Sequence, residues 1–123
     1  MTILVVDDHD GTREMLSELL EMEGHSVIGA RNGRQAIDLL MIYRVDIIIT
    51  DIVMPELEGT EFILRLRQSK IPIISVSGLS KEDVLSGIVR SLGIKGFLRK
   101  PFKPEDILDL VKNVENQSMG RIK

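Results

Sequence analysis

The sequence predicts an α/β protein built on a doubly wound, five-stranded parallel sheet with five helices. Apolar runs of strand length alternate with segments of helical period along the chain, the pattern of a parallel sheet with helices on its faces. The run Ile47, Ile48, Ile49 does not alternate with polar residues, as expected of a strand covered on both sides. Acidic, hydroxyl and amine side chains follow four of the strand-like runs directly, and open sheets of this kind bind ligands beyond the carboxyl ends of their strands.

The elements follow in order. Residues 2–6 form a first strand, and residues 11–23 a helix whose Met15, Leu16, Leu19 and Leu20 share one face before Gly24 closes it. Residues 26–30 read as the second strand and residues 33–43 as a helix buried through Ala36, Ile37, Leu40 and Met41. The third strand spans residues 45–50, and residues 59–68 make a helix with Phe62, Ile63 and Leu66 inward. A fourth strand covers residues 71–76, with Pro72 at its start, where proline is tolerated. Residues 81–92 follow as a helix with Val84, Leu85, Ile88 and Val89 apolar and Gly87 lowering its stability. A short fifth strand, residues 96–98, precedes Lys100-Pro101. Pro104 then starts the last helix, with Glu105 and Asp106 in its first turn and Ile107, Leu108, Val111 and Val114 inward. Residues 116–123 read as a frayed tail, so the whole chain, 1–123, is expected to be one domain.

At 123 residues the chain can bury a core without disulfides or structural metal. With 43% hydrophobic and 28% charged residues it is neither a disordered tail nor a membrane protein. Cysteine is absent, which excludes thiolate metal sites and fits a reducing cytoplasm. A net charge of −3 gives no electrostatic case for direct nucleic-acid binding. Met1 leads straight into a strand-like run without the basic and apolar segments of a signal peptide, and no run is long enough to span a bilayer, so no membrane partner is expected.

The chemistry lies at the strand ends. In ILVVDDHDG four apolar residues precede Asp7 and Asp8; Asp51 ends the third strand, Ser77 the fourth and Lys100 the fifth. Neighbouring buried carboxylates repel and pay desolvation unless a cation or a proton neutralises them. A hard divalent cation with oxygen ligands suits Asp7, Asp8 and Asp51, and Mg²⁺ suits a site with few carboxylates and several waters. A carboxylate beside the open coordination position can act as nucleophile and form an acyl phosphate, with Lys100 and the Ser77 hydroxyl on the phosphoryl oxygens.

Each residue also has an ordinary reading. Asp7-Asp8 can be a turn with a helix cap, Asp51 a turn residue before Pro55, and Lys100 a loop lysine, although Pro101 permits a cis bond. His9 beside the acid pair reads as a solvated loop histidine, His25 as a strand-edge residue, and the methionines as packing. Gly59 opens the third helix and Pro55 shapes the loop before it.

Taken together and in order, ILVVDDHDG, DIVMPELEG, SVSG and GFLRKPF resemble the receiver domains of two-component response regulators over essentially the whole chain. The resemblance implies a flavodoxin-like receiver fold with strand order 2-1-3-4-5. It implies that Asp51 accepts a phosphoryl group from a histidine kinase or a histidine phosphotransfer protein. Asp7 and Asp8 would hold Mg²⁺, or Mn²⁺ in its place, with Asp51 and the backbone carbonyl of Val53. Ser77 and Lys100 would contact the phosphoryl group, Ser77 shifting toward it while Phe97 turns inward; edge-strand packing is the ordinary reading of Phe97. The face of the fourth helix, fifth strand and fifth helix would then change its affinity for a downstream protein partner. Val53 and Leu79 stand where relatives can carry polar side chains that orient attacking water, and both are apolar here, which implies slow hydrolysis.

These readings describe a signalling phosphoacceptor that assists its own phosphorylation and dephosphorylation, not an enzyme acting on an external substrate. Three rival classes remain. A Mg²⁺-dependent phosphohydrolase with an aspartyl nucleophile usually wants a second acid two residues beyond it, where Val53 stands, and the chain has no cap domain. A flavin or nucleotide module needs a Gly-, Ser- or Thr-rich loop after the first strand, where this chain is acidic. A degenerate receiver kept only for binding would lack some of the five rim residues, all of which are present.

Overall fold

The computed structural model describes residues 1–51, 59–78 and 93–120. Five strands, β1 (Thr2–Val6), β2 (Ser26–Ala30), β3 (Ile47–Thr50), β4 (Ile73–Ser77) and β5 (Ile94–Arg99), form one parallel sheet in the order β2-β1-β3-β4-β5. Four helices are present among the described residues: α1 (Asp10–Met22), α2 (Gly33–Ile42), α3 (Gly59–Ser69) and α4 (Pro104–Gly120). This is the doubly wound, flavodoxin-like sheet with the expected strand order 2-1-3-4-5. The helix expected at residues 81–92, the positions of Val53, Pro55 and Leu79, and the side chain of Ile63 lie outside what is described.

Strand side chains alternate between faces, and here both faces are dry. Leu4, Val6, Ile48 and Ile73 point to the face covered by α2 and α3, where Ala36, Ile37, Phe62 and Leu66 meet them. Ile3, Val5, Ile47, Ile49, Ile74 and Val76 point to the other, where Leu16 and Leu20 of α1 and Ile107, Val111 and Val114 of α4 close the second core. Adjacent residues of β1 and β3 therefore serve different cores, so these strands need uninterrupted apolar runs.

Local chemistry sets the helix boundaries. Asn32 caps α2, its side-chain oxygen accepting from the backbone N–H of Gln35 at 2.8 Å, while Gln35 reaches back to the N–H of Arg31 at 2.9 Å. Gly24 takes φ +91° after α1, a conformation only glycine adopts readily, and its N–H bonds the Glu21 carbonyl. Pro104 opens α4 as expected. That helix continues to Gly120, past residue 116, where the apolar spacing stops. Polar residues at 115–117 continue a helix without a buried stripe to follow, and no proline interrupts them.

Two expected core methionines are exposed. Met15 is 40% exposed and Met41 71%. At about 100° per residue, Met15 lies roughly 120° from the centre of the Leu16–Leu20 stripe, and Met41 about 90° from that of Gly33, Ala36, Ile37 and Leu40. Each is apolar and adjacent in sequence to the stripe, yet on its flank. β5 is also longer than expected, six residues beginning at Ile94. β4 begins at Ile73, with Pro72 just outside it, accepting from the Ile48 N–H.

Phe62 is the largest fully buried side chain and sits against the backbone of Gly33, where an added Cβ would lie 3.0 Å from the ring. Phe62→Ala is expected to lower stability by about 3–5 kcal/mol through lost burial and a cavity between α2, α3 and the sheet. Urea denaturation should show a lower midpoint with an unchanged slope.

Candidate functional site

The site is built by extending the sheet's ladder one residue past the strands. The Asp7 N–H donates to the Ala30 carbonyl at 3.0 Å, the Asp51 N–H to the Val6 carbonyl at 3.1 Å, and the Lys100 N–H to the Ser77 carbonyl at 2.8 Å. Each of these three residues therefore has its backbone pinned to the end of a neighbouring strand. Asp7 and Asp51 then emerge from adjacent strands, about 4.8 Å apart in the hydrogen-bonding direction.

Lys100 joins them. Its Nζ donates to Asp7 Oδ2 at 2.9 Å and to Asp51 Oδ2 at 3.4 Å, spanning from β5 to the ends of β3 and β1. Asp7 is only 2% exposed, so this ammonium offsets a carboxylate almost out of water. The Lys100-Pro101 peptide is cis. Partial burial lowers the ammonium's affinity for its proton, but the Asp7 hydrogen bond and the charges of Asp7 and Asp51 outweigh it and hold the pKa above the ordinary 10.5.

The second oxygen of Asp7 is engaged locally. Oδ1 accepts the His9 N–H at 2.9 Å, and His9 Nδ1 lies 3.3 Å from it and 3.1 Å from Asp8 Oδ1. His9 is thus exposed at 71%, as a loop histidine should be, yet its ring stands over the acid pair. Asp7, Asp8 and His9 form one group whose ligand atoms lie within 4.8 Å of one another. Arg13, which sequence reasoning did not single out, donates from Nη1 to the Asp7 carbonyl at 2.8 Å and pairs with Asp10 through Nη2. It fastens the acidic loop to the first turns of α1, and its only sequence signal is its spacing from Asp7 and Asp10.

Ser77, at the end of β4, is buried. Phe97 is half-buried and stands in register with Ser75, so it shares a sheet face with Ser75 and Ser77. The same register aligns Thr50 with Ser75. The hydroxyls of Thr50 and Ser75 are buried without a hydrogen-bond partner among the described residues, directly below Asp51 and Ser77. The structure thus brings Asp7, Asp8, Asp51, Ser77 and Lys100 to one rim.

Lys100 pairs with Asp7 and Asp51, and Asp8 adds a third carboxylate beside Asp7, so the rim holds two more carboxylates than its one lysine offsets. That surplus, all of it oxygen donors, fits a hard divalent cation better than a soft one or an anion.

The chain belongs to the response regulator receiver domain family, whose model matches residues 3–112. It is a phospho-accepting module of two-component signalling. The chain is similar to the transcriptional regulatory protein CpxR of Escherichia coli, at 36% identity over 118 residues, covering 94% of this chain and 50% of CpxR. Among solved structures it resembles the chemotaxis response regulator CheY4 of Vibrio cholerae, with a TM-score of 0.80 and 32% identity over 92% of this chain and 97% of that one. It also resembles the response regulator TrrA of Thermotoga maritima, solved in complex with Mg²⁺ and BeF, with a TM-score of 0.78 and 30% identity, covering 92% of this chain and 97% of that one. The chain spans about half the length of CpxR and of other curated transcriptional regulators it matches. No helix among the described residues is long and apolar enough to cross a membrane.

Because the Lys100 pKa is raised on folding, its pairing stabilises the fold fully below pH 10.5 and is lost as pH climbs through the higher folded value. Thermal melts should therefore show a Lys100-dependent contribution that is constant from about pH 6 to 9 and declines above about 10.5. In Lys100→Met that alkaline component should be absent.

Proposed function

We propose that Asp51 is the phosphoacceptor of this receiver, and that Lys100, bridging Asp7 and Asp51, carries the reading. A lysine held between two carboxylates at the carboxyl ends of parallel strands sits where charge must be balanced when a phosphoryl group arrives. Asp51 offers a carboxylate oxygen at the rim. In the proposed step this oxygen forms a bond to phosphorus while the P–N bond of a phosphohistidine donor breaks. The electron pair remains on the imidazole nitrogen, which takes up a proton from solvent. Lys100, already within 3.4 Å of Asp51, then neutralises a phosphoryl oxygen without long travel, and the Ser77 hydroxyl donates to another.

Asp7 and Asp8 would hold Mg²⁺, or Mn²⁺, with Asp51 and the Val53 carbonyl. The cation's contribution is to offset negative charge on the carboxylates and the incoming phosphoryl group. Asp7 is held in place by Lys100 on one carboxylate oxygen and by the His9 N–H on the other. Arg13 fixes the backbone that presents it.

The donor is a histidine kinase or a histidine phosphotransfer protein of the cytoplasm, and the output a protein partner that reads the face around β5 and the helices beside it. Ser77 and Phe97 would couple the rim to that face, being on one side of the sheet. The chain acts as a phosphoacceptor that assists its own dephosphorylation, with Val53 and Leu79 leaving attacking water unoriented.

Intact mass after incubation with acetyl phosphate tests the assignment. The native chain should gain one phosphoryl group only with Mg²⁺ present, and Asp51→Asn should gain none. Lys100→Met should be phosphorylated about 100-fold more slowly, the usual loss when one preorganised charge on developing phosphoryl charge is removed. A native chain that gains nothing, or an Asp51→Asn chain that gains as much, overturns it. Val53→Asn combined with Leu79→Gln should shorten the phosphorylated state several-fold in the same assay.

A further inference from the structure

The end of the sheet opposite the acid rim carries two adjoining grooves that phosphoryl chemistry does not use. One, of about 230 Å³, lies between α2 and α3, floored by Ile37, Leu40, Met41 and Ile71, with Arg65 and Gln68 on its edge. The other, of about 240 Å³, lies between the end of α3 and the start of β5 and carries Arg67, Lys70 and Lys95. Only the last turn of α3 separates them, and Ile71 lines both. Among the described residues no carboxylate lines either groove, although the chain as a whole is net acidic.

Two irregularities of the backbone place lysines at the second groove. Lys70 has φ +58°, in the left-handed region where glycine or asparagine would be favoured. Its turn is fixed by the Ser69 hydroxyl, which donates to the Leu66 carbonyl at 2.7 Å and accepts the Ile71 N–H at 3.2 Å. Lys95 sits at a bulge: Ile73 pairs with Ile94 and Ile74 with Gly96, leaving no residue opposite it. A lysine on an edge strand can simply block strand pairing, which accounts for Lys95 alone. It does not account for a lysine in an unfavourable conformation beside it, nor for Arg65 and Arg67 on the same turn of α3. The apolar side is equally uneven, since Met41, Ile42 and Tyr43 are consecutive and exposed at the end of α2.

We propose that these grooves dock an acidic, amphipathic segment of a partner protein. An apolar side chain would seat between α2 and α3, and carboxylates beside it would pair with Lys70, Lys95 and Arg65. The apolar lining of the first groove disfavours a nucleic acid as occupant. β4, five residues long, puts this surface about 16 Å from the acid rim, so an occupant leaves the phosphoryl donor's approach open. The surface is independent of the phosphoacceptor assignment.

The test uses the whole chain, isotope-labelled for NMR, titrated with a synthetic Glu/Leu amphipathic peptide. A Lys/Leu peptide and a DNA oligonucleotide matched in charge to the Glu/Leu peptide serve as comparisons. Saturable shifts at Met41, Arg65, Lys70 and Lys95 with the Glu/Leu peptide alone, weakened by added salt, are expected. Lys70→Asn with Lys95→Gln should weaken that binding at least about tenfold. Asparagine tolerates the left-handed backbone, so an undiminished melting temperature separates lost binding from lost folding. Absence of shifts, undiminished affinity in the double variant, equal binding of the oligonucleotide, or sedimentation showing that this face pairs two copies of the chain would each overturn the proposal. Phosphorylation of the double variant by acetyl phosphate at the native rate would show that the acid rim is untouched.

Discussion

Carboxylates brought together at the ends of adjacent strands repel, and in this protein the ammonium of Lys100 holds two of them in place. Asp7 is nearly out of water, and an ionised carboxylate in that position is costly unless it is paired and hydrogen-bonded. It receives both: Lys100 on one oxygen and the His9 N–H on the other. The same lysine touches Asp51, so the charges of three strands are linked at one point. One cation does not balance three acids, and the remaining negative charge is what makes the rim receptive to a divalent cation and then to a phosphoryl group.

The architecture exists to hold that rim. Apolar side chains of β1, β3 and β4 fill both cores, so the middle of the sheet has no freedom to shift its register without burying the wrong side chains. Because Asp7, Asp51 and Lys100 are hydrogen-bonded to the last carbonyls of neighbouring strands, the rigidity of the cores is passed to the site through backbone bonds. Among the described strand residues, the buried polar side chains are Thr50, Ser75 and Ser77, in the carboxyl-terminal parts of β3 and β4. Among the described residues the buried hydroxyls of Thr50 and Ser75 have no hydrogen-bond partner.

The two ends of the sheet differ in charge as well as in role. Acids crowd the carboxyl ends of the strands, while the amino ends of β4 and β5 and the last turn of α3 are lined by cations. The lysines there stand at a left-handed turn and a bulge, the two places where this part of the backbone departs from regular geometry.

By itself, the sequence determined the fold class and the membership of the rim. Unbroken apolar runs require burial on both faces, and the residues that follow them must emerge at the strand ends, so Asp7, Asp8, Asp51, Ser77 and Lys100 could be placed together from linear order alone. Tertiary structure decided the rest. Met15 and Met41 fit an apolar stripe by spacing but lie on its flank, because which side of a helix is covered depends on its neighbour. Arg13 acquires its role only when α1 is laid against the acidic loop, and spacing from Asp7 and Asp10 is a weak mark of it beforehand; His9, legible beside the acid pair, is placed over the two acids by the turn of the loop itself. The bulge at Lys95 and the extra length of β5 arise from pairing with β4, and the meeting of Lys100 with Asp7, 93 residues apart, arises from sheet order. Periodicity reports what a residue needs from its surroundings; which residue answers that need is settled by contacts between distant segments.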